Sequence, residues 1–342
     1  MAMAYLQTIK GFLNLAAFLK WLYWRYLRLL FSKLPVAFIN AVMSFLARLQ
    51  MASNRQRKLI TLQELYKSGV IDETCNMRKT LHFAFQTQLN SWAKLCYLVK
   101  INSSNIDSYV AIEGRENLDK ALKGNKGALL LNSHFGPYMM SMPALGYRGY
   151  RVNQVAIQGD PPIVGRKGFF WYANEAKFQA VEKLMPVNFI NASIPVGDKN
   201  GLRNMSIRDV ILALQRNEVV LFPATGRGGR KWVESPFLGR TVNFNITPFK
   251  LAIKTGTALL PVFLIDLKDG IAKMVVEPAL DVSENDTSET LLTKYLAVLS
   301  KYVKHYPEQF AYFLYEMKMK SWWDDHPFFT DYKTSRASIK KT

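Results

Sequence analysis

The pattern of apolar and polar positions divides the chain near residue 108. Beyond it, short apolar runs bounded by glycine or proline alternate with longer stretches of helical period, which predicts strands at 109–113, 126–132, 151–157, 218–222, 259–265 and 272–277. Helices are expected at 137–145, 167–184, 203–216, 244–255 and 286–305, with Pro223, Pro248, Pro261 and Pro278 marking boundaries. Strands alternating with helices imply an α/β fold, a mixed central sheet covered by helices on both faces. Residues 61–107 read as a helical connector with a loop around Asn102–Asn105, and 108–329 as the α/β domain. The tail, 330–342, has few apolar residues and several bases, and is expected to be disordered.

Residues 1–60 follow another rule. No acidic residue precedes Glu64, while Lys10, Lys20, Arg25, Arg28, Lys33, Arg48, Arg55, Arg57 and Lys58 interrupt an aromatic and aliphatic sequence containing Trp21, Tyr23, Trp24, Tyr26 and Phe31. The longest uncharged run, Leu34 to Ala47, falls short of the ~20 residues needed to cross a bilayer core. Such a segment fits helices lying in the lipid headgroup region, where rings sit at the interface and bases meet anionic lipid. A short or tilted span and a soluble core helix are the other readings. Early breaks at Lys20 and Arg25 argue against a cleaved signal peptide, and positive flanks are expected to keep the body on the cytoplasmic side of the membrane.

Composition narrows the chemistry. The 342 residues carry 45 Lys and Arg against 26 Asp and Glu, a formal charge of +19, which calls for an anionic surface or ligand. The two cysteines, Cys75 and Cys96, are too few for a disulfide framework and lack metal-ligand spacing; no metal or resident cofactor is expected. Of the four histidines, His82, His305 and His326 read as structural or surface residues. His134 directly follows the apolar strand ending in Asn132, and Gly136-Pro137 then opens a helix. An imidazole at such a helix start is disfavoured as imidazolium, and so can take a proton from a hydroxyl or amine.

Thr225-Gly-Arg-Gly-Gly-Arg-Lys231 follows another strand. It fits neither the phosphate-loop nor the dinucleotide fingerprint. Its Arg227, Arg230 and Lys231 serve either to recognise a phosphate or as a solvated basic loop. A single such loop inside a patterned domain does not resemble repeated RNA-binding units, and no nucleic-acid partner is expected.

Several segments, in order, carry a resemblance: Val110-Ala-Ile-Glu-Gly114, Ala128-Leu-Leu-Leu-Asn-Ser-His134-Phe-Gly136, Arg208 within Ile207 to Leu214, Glu218-Val-Val-Leu-Phe-Pro223, Phe237-Leu-Gly239, Ala252 to Gly256, Pro261-Val-Phe263 and Tyr306-Pro-Glu-Gln-Phe310. Over roughly residues 105 to 325 the chain resembles the bacterial lipid A biosynthesis acyltransferases, within the wider lysophospholipid and glycerolphosphate acyltransferase group. The resemblance implies transfer of a fatty acyl group from a thioester on acyl carrier protein or coenzyme A to a lipid-like acceptor at the cytoplasmic face of the inner membrane. His134 would be the general base, Gly136, Arg208, Arg227, Arg230 and Lys231 would bind substrate, and Phe135, Tyr138 and Met139 are candidates for the acyl pocket. Oxyanion donors would come from the amides near Gly136 or the 225–231 loop.

The sequence departs from the family's HxxxxE/D motif, because the carboxylate position holds Met139; Gln158 and Ala224 stand where the family often has Arg and Asp. Three readings follow. Another carboxylate, Asp160 or Glu116, approaches His134 in the fold; or His134 acts alone on a more nucleophilic acceptor such as an amine; or the chain is a non-catalytic acyl-binding relative that serves as a scaffold or partner subunit.

Overall fold

The computed structural model describes residues 18, 21–72, 76–156, 176, 179–180, 183–191, 205–226, 231–267, 270–321 and 326–332. Its centre is a seven-stranded mixed sheet of β1 (Val110–Glu113), β2 (Ala128–Asn132), β3 (Val152–Ala156), β4 (Asn188–Asn191), β5 (Val219–Pro223), β8 (Ala258–Asp266) and β9 (Ala272–Val276). The order across the sheet is β1-β9-β8-β2-β5-β3-β4, antiparallel only between β8 and β9. A separate hairpin, β6 (Trp232–Phe237) and β7 (Arg240–Asn245), follows β5. Six of these strands fall where the apolar pattern placed them; β4 and the hairpin were not anticipated.

The central strand β2 shows why the sheet needs helices on both faces. All five of its residues are buried. Leu129 and Leu131 join one core with α6 (Met205–Gln215), α7 (Thr247–Thr255), α8 (Ser288–His305) and α9 (Pro307–Lys320). Ala128 and Leu130 join a second core with α3 (Met77–Cys96), α4 (Arg115–Lys123) and α5 (Ser141–Gly146). The period of two thus feeds two cores from one strand, each fully buried leucine contributing ~1.5–3 kcal/mol. Helix ends carry local signals: Asn76 caps α3 by accepting from Lys79 N–H, Thr287 and Thr290 form a capping box on α8, and Pro307 opens α9.

The helices before β1 are built into the domain rather than merely joined to it. Helix α1 (Val36–Ser53) lies along α3, with Ile39 and Ala47 buried and Phe38, Phe45 and Leu49 exposed on its other side. Asn54 caps α2 (Arg55–Lys67), which packs on α9. Lys94 of α3 forms a buried ion pair with Asp266 at the end of β8 (2.8 Å) and also donates to the Gly270 carbonyl, while Asn90 donates to the same carboxylate. Residues 330–332, expected as the start of a disordered tail, are packed on the domain: Tyr332 is buried, next to Phe329, which bridges to Val242 of β7. The rest of that tail, 333–342, and most of the helix expected at 167–184 lie outside the described residues.

Candidate active site

His134 stands two residues beyond the end of β2, the middle strand of the sheet. Because Asn132 and Pro223 are opposite one another in the parallel β2–β5 pair, the residues two further along, His134 and Thr225, meet beyond the strand ends. Thr225 is buried, and its Oγ1 lies 2.8 Å from the His134 backbone N, from which it accepts a proton, and 2.7 Å from His134 Nδ1. A hydroxyl oxygen can accept two hydrogen bonds. Where Nδ1–H is the second donor, Nε2 is the basic nitrogen of the ring; where the hydroxyl donates, Nδ1 is the acceptor and Nε2 carries the proton. The imidazole stacks on Phe313 (centroids 5.5 Å apart, 19° between planes) and meets Tyr138 at 4.6 Å.

A cavity of about 160 Å³ opens beside this ring. It is lined by the turn Gly136–Met139, by α3 through Thr87, Gln88, Ser91, Trp92 and Leu95, and by α9 through Glu308, Gln309, Tyr312, Phe313 and Glu316. Its position at the carboxyl end of the central parallel strands is where open α/β sheets bind ligands. Two carboxylates therefore line the same cavity as His134, and neither is one of those nearest in sequence. Glu116 is exposed in the first turn of α4 and does not line the cavity, and Asp160 lies outside the described residues.

The site residues expected from sequence divide into three groups. Tyr138 and Met139 line the cavity with His134. Phe135 does not: it is fully buried in the opposite direction, against Phe263, Tyr302 and Phe310, and serves the core. Arg208 is exposed on α6 and Lys231 is exposed at the start of β6, neither lining the cavity; Arg227 and Arg230, like Gln158, lie outside the described residues.

Gly136 lines the cavity, but close packing accounts for it. It has φ +54°, and a Cβ there would lie 2.1 Å from the Leu264 carbonyl oxygen, so only glycine lets the turn pass β8. Its N–H donates to the Gln309 carbonyl (2.9 Å), which takes this amide away from any oxyanion. The helix expected over 137–145 is present one residue later, beginning as a 3₁₀ turn, Tyr138–Met140, and continuing as α5, Ser141–Gly146.

Gln309, within the Tyr306–Phe310 segment, has a role that its geometry makes plain. Its side chain accepts from Asp266 N–H (3.1 Å) and donates to the Asp266 carbonyl (3.3 Å), so with its own carbonyl on Gly136 it clamps α9 to the end of β8 and to the His134 turn. Gln309→Ala is expected to lower stability by about 1–3 kcal/mol, seen as a reduced urea midpoint at unchanged slope.

The sequence model for bacterial lipid A biosynthesis acyltransferases matches residues 7–319. A comparison with proteins of curated function finds no match.

Proposed function

Since the chain belongs to the bacterial lipid A biosynthesis acyltransferase family, we propose that the His134 cavity moves a fatty acyl group from a thioester on acyl carrier protein or coenzyme A to a hydroxyl or amine of a lipid-like acceptor. The observation that carries this reading is the pair of hydrogen bonds between His134 and Thr225 Oγ1, one to the backbone N–H and one to ring Nδ1. Threonine here takes over half of the task that a carboxylate at position 139 would perform. It holds the ring in one orientation and, when it accepts from Nδ1–H, leaves Nε2 as the base, but it brings no charge to stabilise the imidazolium.

In the proposed step Nε2 accepts the acceptor's proton as its oxygen or nitrogen attacks the thioester carbonyl. Collapse of the tetrahedral intermediate expels the thiolate, to which Nε2–H returns the proton. The Gly136 amide is engaged by the Gln309 carbonyl and the Gly226 amide by the Pro223 carbonyl, so neither holds the oxyanion without first giving up that bond. The basic residues of the 225–231 loop are left as candidates for the donor's phosphates, and Tyr138 and Met139 for contact with the acyl chain.

Attachment to the membrane is part of the same proposal. Helix α1 is a candidate span by length and composition, yet its 18 residues reach about 27 Å against a hydrocarbon core of ~30 Å. One face is occupied by α3 while Phe38, Phe45 and Leu49 remain exposed. That favours a helix lying in the interface of the cytoplasmic leaflet, its apolar side toward lipid and the surrounding bases toward headgroups.

Incubation with radiolabelled long-chain acyl carrier protein or acyl-coenzyme A and a membrane lipid extract tests the activity. Label should pass to an extractable lipid. Tight thioester binding with no transfer to any extract would instead identify a non-catalytic acyl-binding relative. Thr225→Val, which removes the hydroxyl at nearly constant volume, is expected to lower kcat on the order of 10²-fold while leaving the donor KM nearly unchanged. A matching fall in stability with no split between kcat and KM would make Thr225 a structural residue only.

A further inference from the structure

Three buried hydrogen-bond donors stand without acceptors where the N-terminal segment meets α3. Residues 28–32 form a helical turn that packs on α3 and on the turn Tyr97–Val99 that follows it. One turn earlier, Trp24 lies against Trp92 of α3, with ring centroids 6.4 Å apart. At this junction the Trp24 indole N–H, the Arg28 NH1 group and the Tyr97 hydroxyl are all shut away from solvent with no hydrogen-bond partner. Trp24 is 2% exposed and Tyr97 3%. An indole N–H and a guanidinium only donate. Burial, ahead of Cys96 and Tyr109, raises the Tyr97 hydroxyl, which therefore keeps its proton and is a donor as well.

The guanidinium is held in place without a counter-charge. Its Nε donates to the Trp24 carbonyl (2.9 Å), and among the described residues it enters no ion pair. No Asp or Glu precedes Glu64 in the chain. Tyr23 and Cys96 are hydrogen-bonded to each other beside it; burial raises both groups, and at both the positive charge of Arg28 works against the rise. Buried donors left unpaired destabilise a fold, and a buried cation does so more. An anion with several acceptor oxygens would satisfy all three. The neighbouring surface is apolar, because Tyr26, Leu29, Leu30 and Val99 are exposed. Buried donors beside an exposed apolar rim are complementary to an anionic head joined to hydrocarbon.

We propose that Trp24, Arg28 and Tyr97 form a binding site for the phosphate of an anionic membrane phospholipid, whose acyl chains lie along Tyr26, Leu29, Leu30 and Val99. Arg28 is the half-buried member of the three and marks the side from which the phosphate enters. The site is separate from the His134 cavity, which none of the three residues lines, although Trp92 belongs to the cavity lining and touches Trp24. The proposal rests on the interfacial reading of the N-terminal helices and is independent of acyl transfer. It differs from diffuse attraction of a basic segment to an anionic surface, in which every exposed base counts alike and an uncharged donor counts for nothing.

The test floats the full chain with vesicles of phosphatidylcholine, alone or containing phosphatidic acid, at one fixed salt concentration. Arg28→Gln is expected to weaken binding to the phosphatidic acid vesicles about thirtyfold and Tyr97→Phe about tenfold, whereas Arg25→Gln, which removes the same charge from an exposed neighbour, weakens it about fivefold or less. Tyr97→Phe should also leave the lipid-free protein at least as stable in urea as the unaltered one, since the hydroxyl it removes has no partner. Equal losses in Arg25→Gln and Arg28→Gln, with Tyr97→Phe unchanged, would overturn the site in favour of diffuse attraction. Inorganic phosphate that raises the urea midpoint of the unaltered protein but not of Arg28→Gln, with both floating equally, would overturn the lipid as the occupant. Flotation with both kinds of vesicle alike would overturn the site alone, and flotation with neither would overturn the interfacial reading and the site together.

Discussion

Replacing His134 by alanine is expected to reduce acyl transfer by on the order of 10³-fold, within the ~10²–10⁴-fold range of a positioned general base, with little change in thioester binding. The ring is half-buried at the edge of the cavity, so its loss removes a proton acceptor without opening the core. Single-turnover assays with labelled donor separate the two quantities: the dissociation constant should hold while the chemical step slows. Thr225→Val should then cost almost nothing further in the His134→Ala background, because the hydroxyl acts only through the ring it orients. Additive losses would show that Thr225 works independently of His134. Transfer unchanged in His134→Ala would remove the base from the mechanism altogether.

The parts of this site that the sequence discloses are those fixed by local pattern. A buried apolar run ending at Asn132, followed by Ser-His-Phe-Gly-Pro, places His134 at a strand end with no information from elsewhere. The parts that escape are those set by long-range register. Thr225 follows the altered Pro223-Ala224 and sits 91 residues from His134, and only the pairing of β2 with β5 brings the two together. Helix α9 escaped because Tyr306-Pro307 reads as the end of α8; the same proline starts the next helix, and that helix brings Glu308, Gln309, Tyr312, Phe313 and Glu316 to the cavity. Residues read as a connector turn out to line the same cavity, since α3 is held on β8 by Lys94 and Asp266. The β6–β7 hairpin lacked its usual signal. Its two-residue turn has positive φ at both positions, 51° at Leu238 and 70° at Gly239, where Asn-Gly or Asp-Gly is the common choice. Leu238 adopts this conformation with its side chain buried in the core, which offsets the backbone cost.

The largest expected loss of stability lies away from the site, at Arg240. Its guanidinium donates to Glu64 of α2 (2.8 Å) and, through two bonds, to Asp331 (2.7 and 2.8 Å), and it lies 3.7 Å from the ring centroid of Phe329. Tyr332 closes the cluster by donating to the same Glu64 oxygen (2.6 Å). Glu64 is only 1% exposed, so its charge is taken out of water and compensated mainly by the guanidinium. Arg240→Met would leave that carboxylate buried with the tyrosine hydroxyl but without its cation, at a cost of about 3–5 kcal/mol. Urea denaturation measures it. The double variant Glu64→Met, Arg240→Met should recover most of the loss, because a buried ion pair replaced by apolar groups of similar size is often close to neutral whereas half a pair is not. The readout also distinguishes two roles for the cluster. Since Arg240 joins α2, the β6–β7 hairpin and the 326–332 segment, a loss confined to that segment would appear as a separate early transition, and a single shifted transition would place the cluster in the cooperative core.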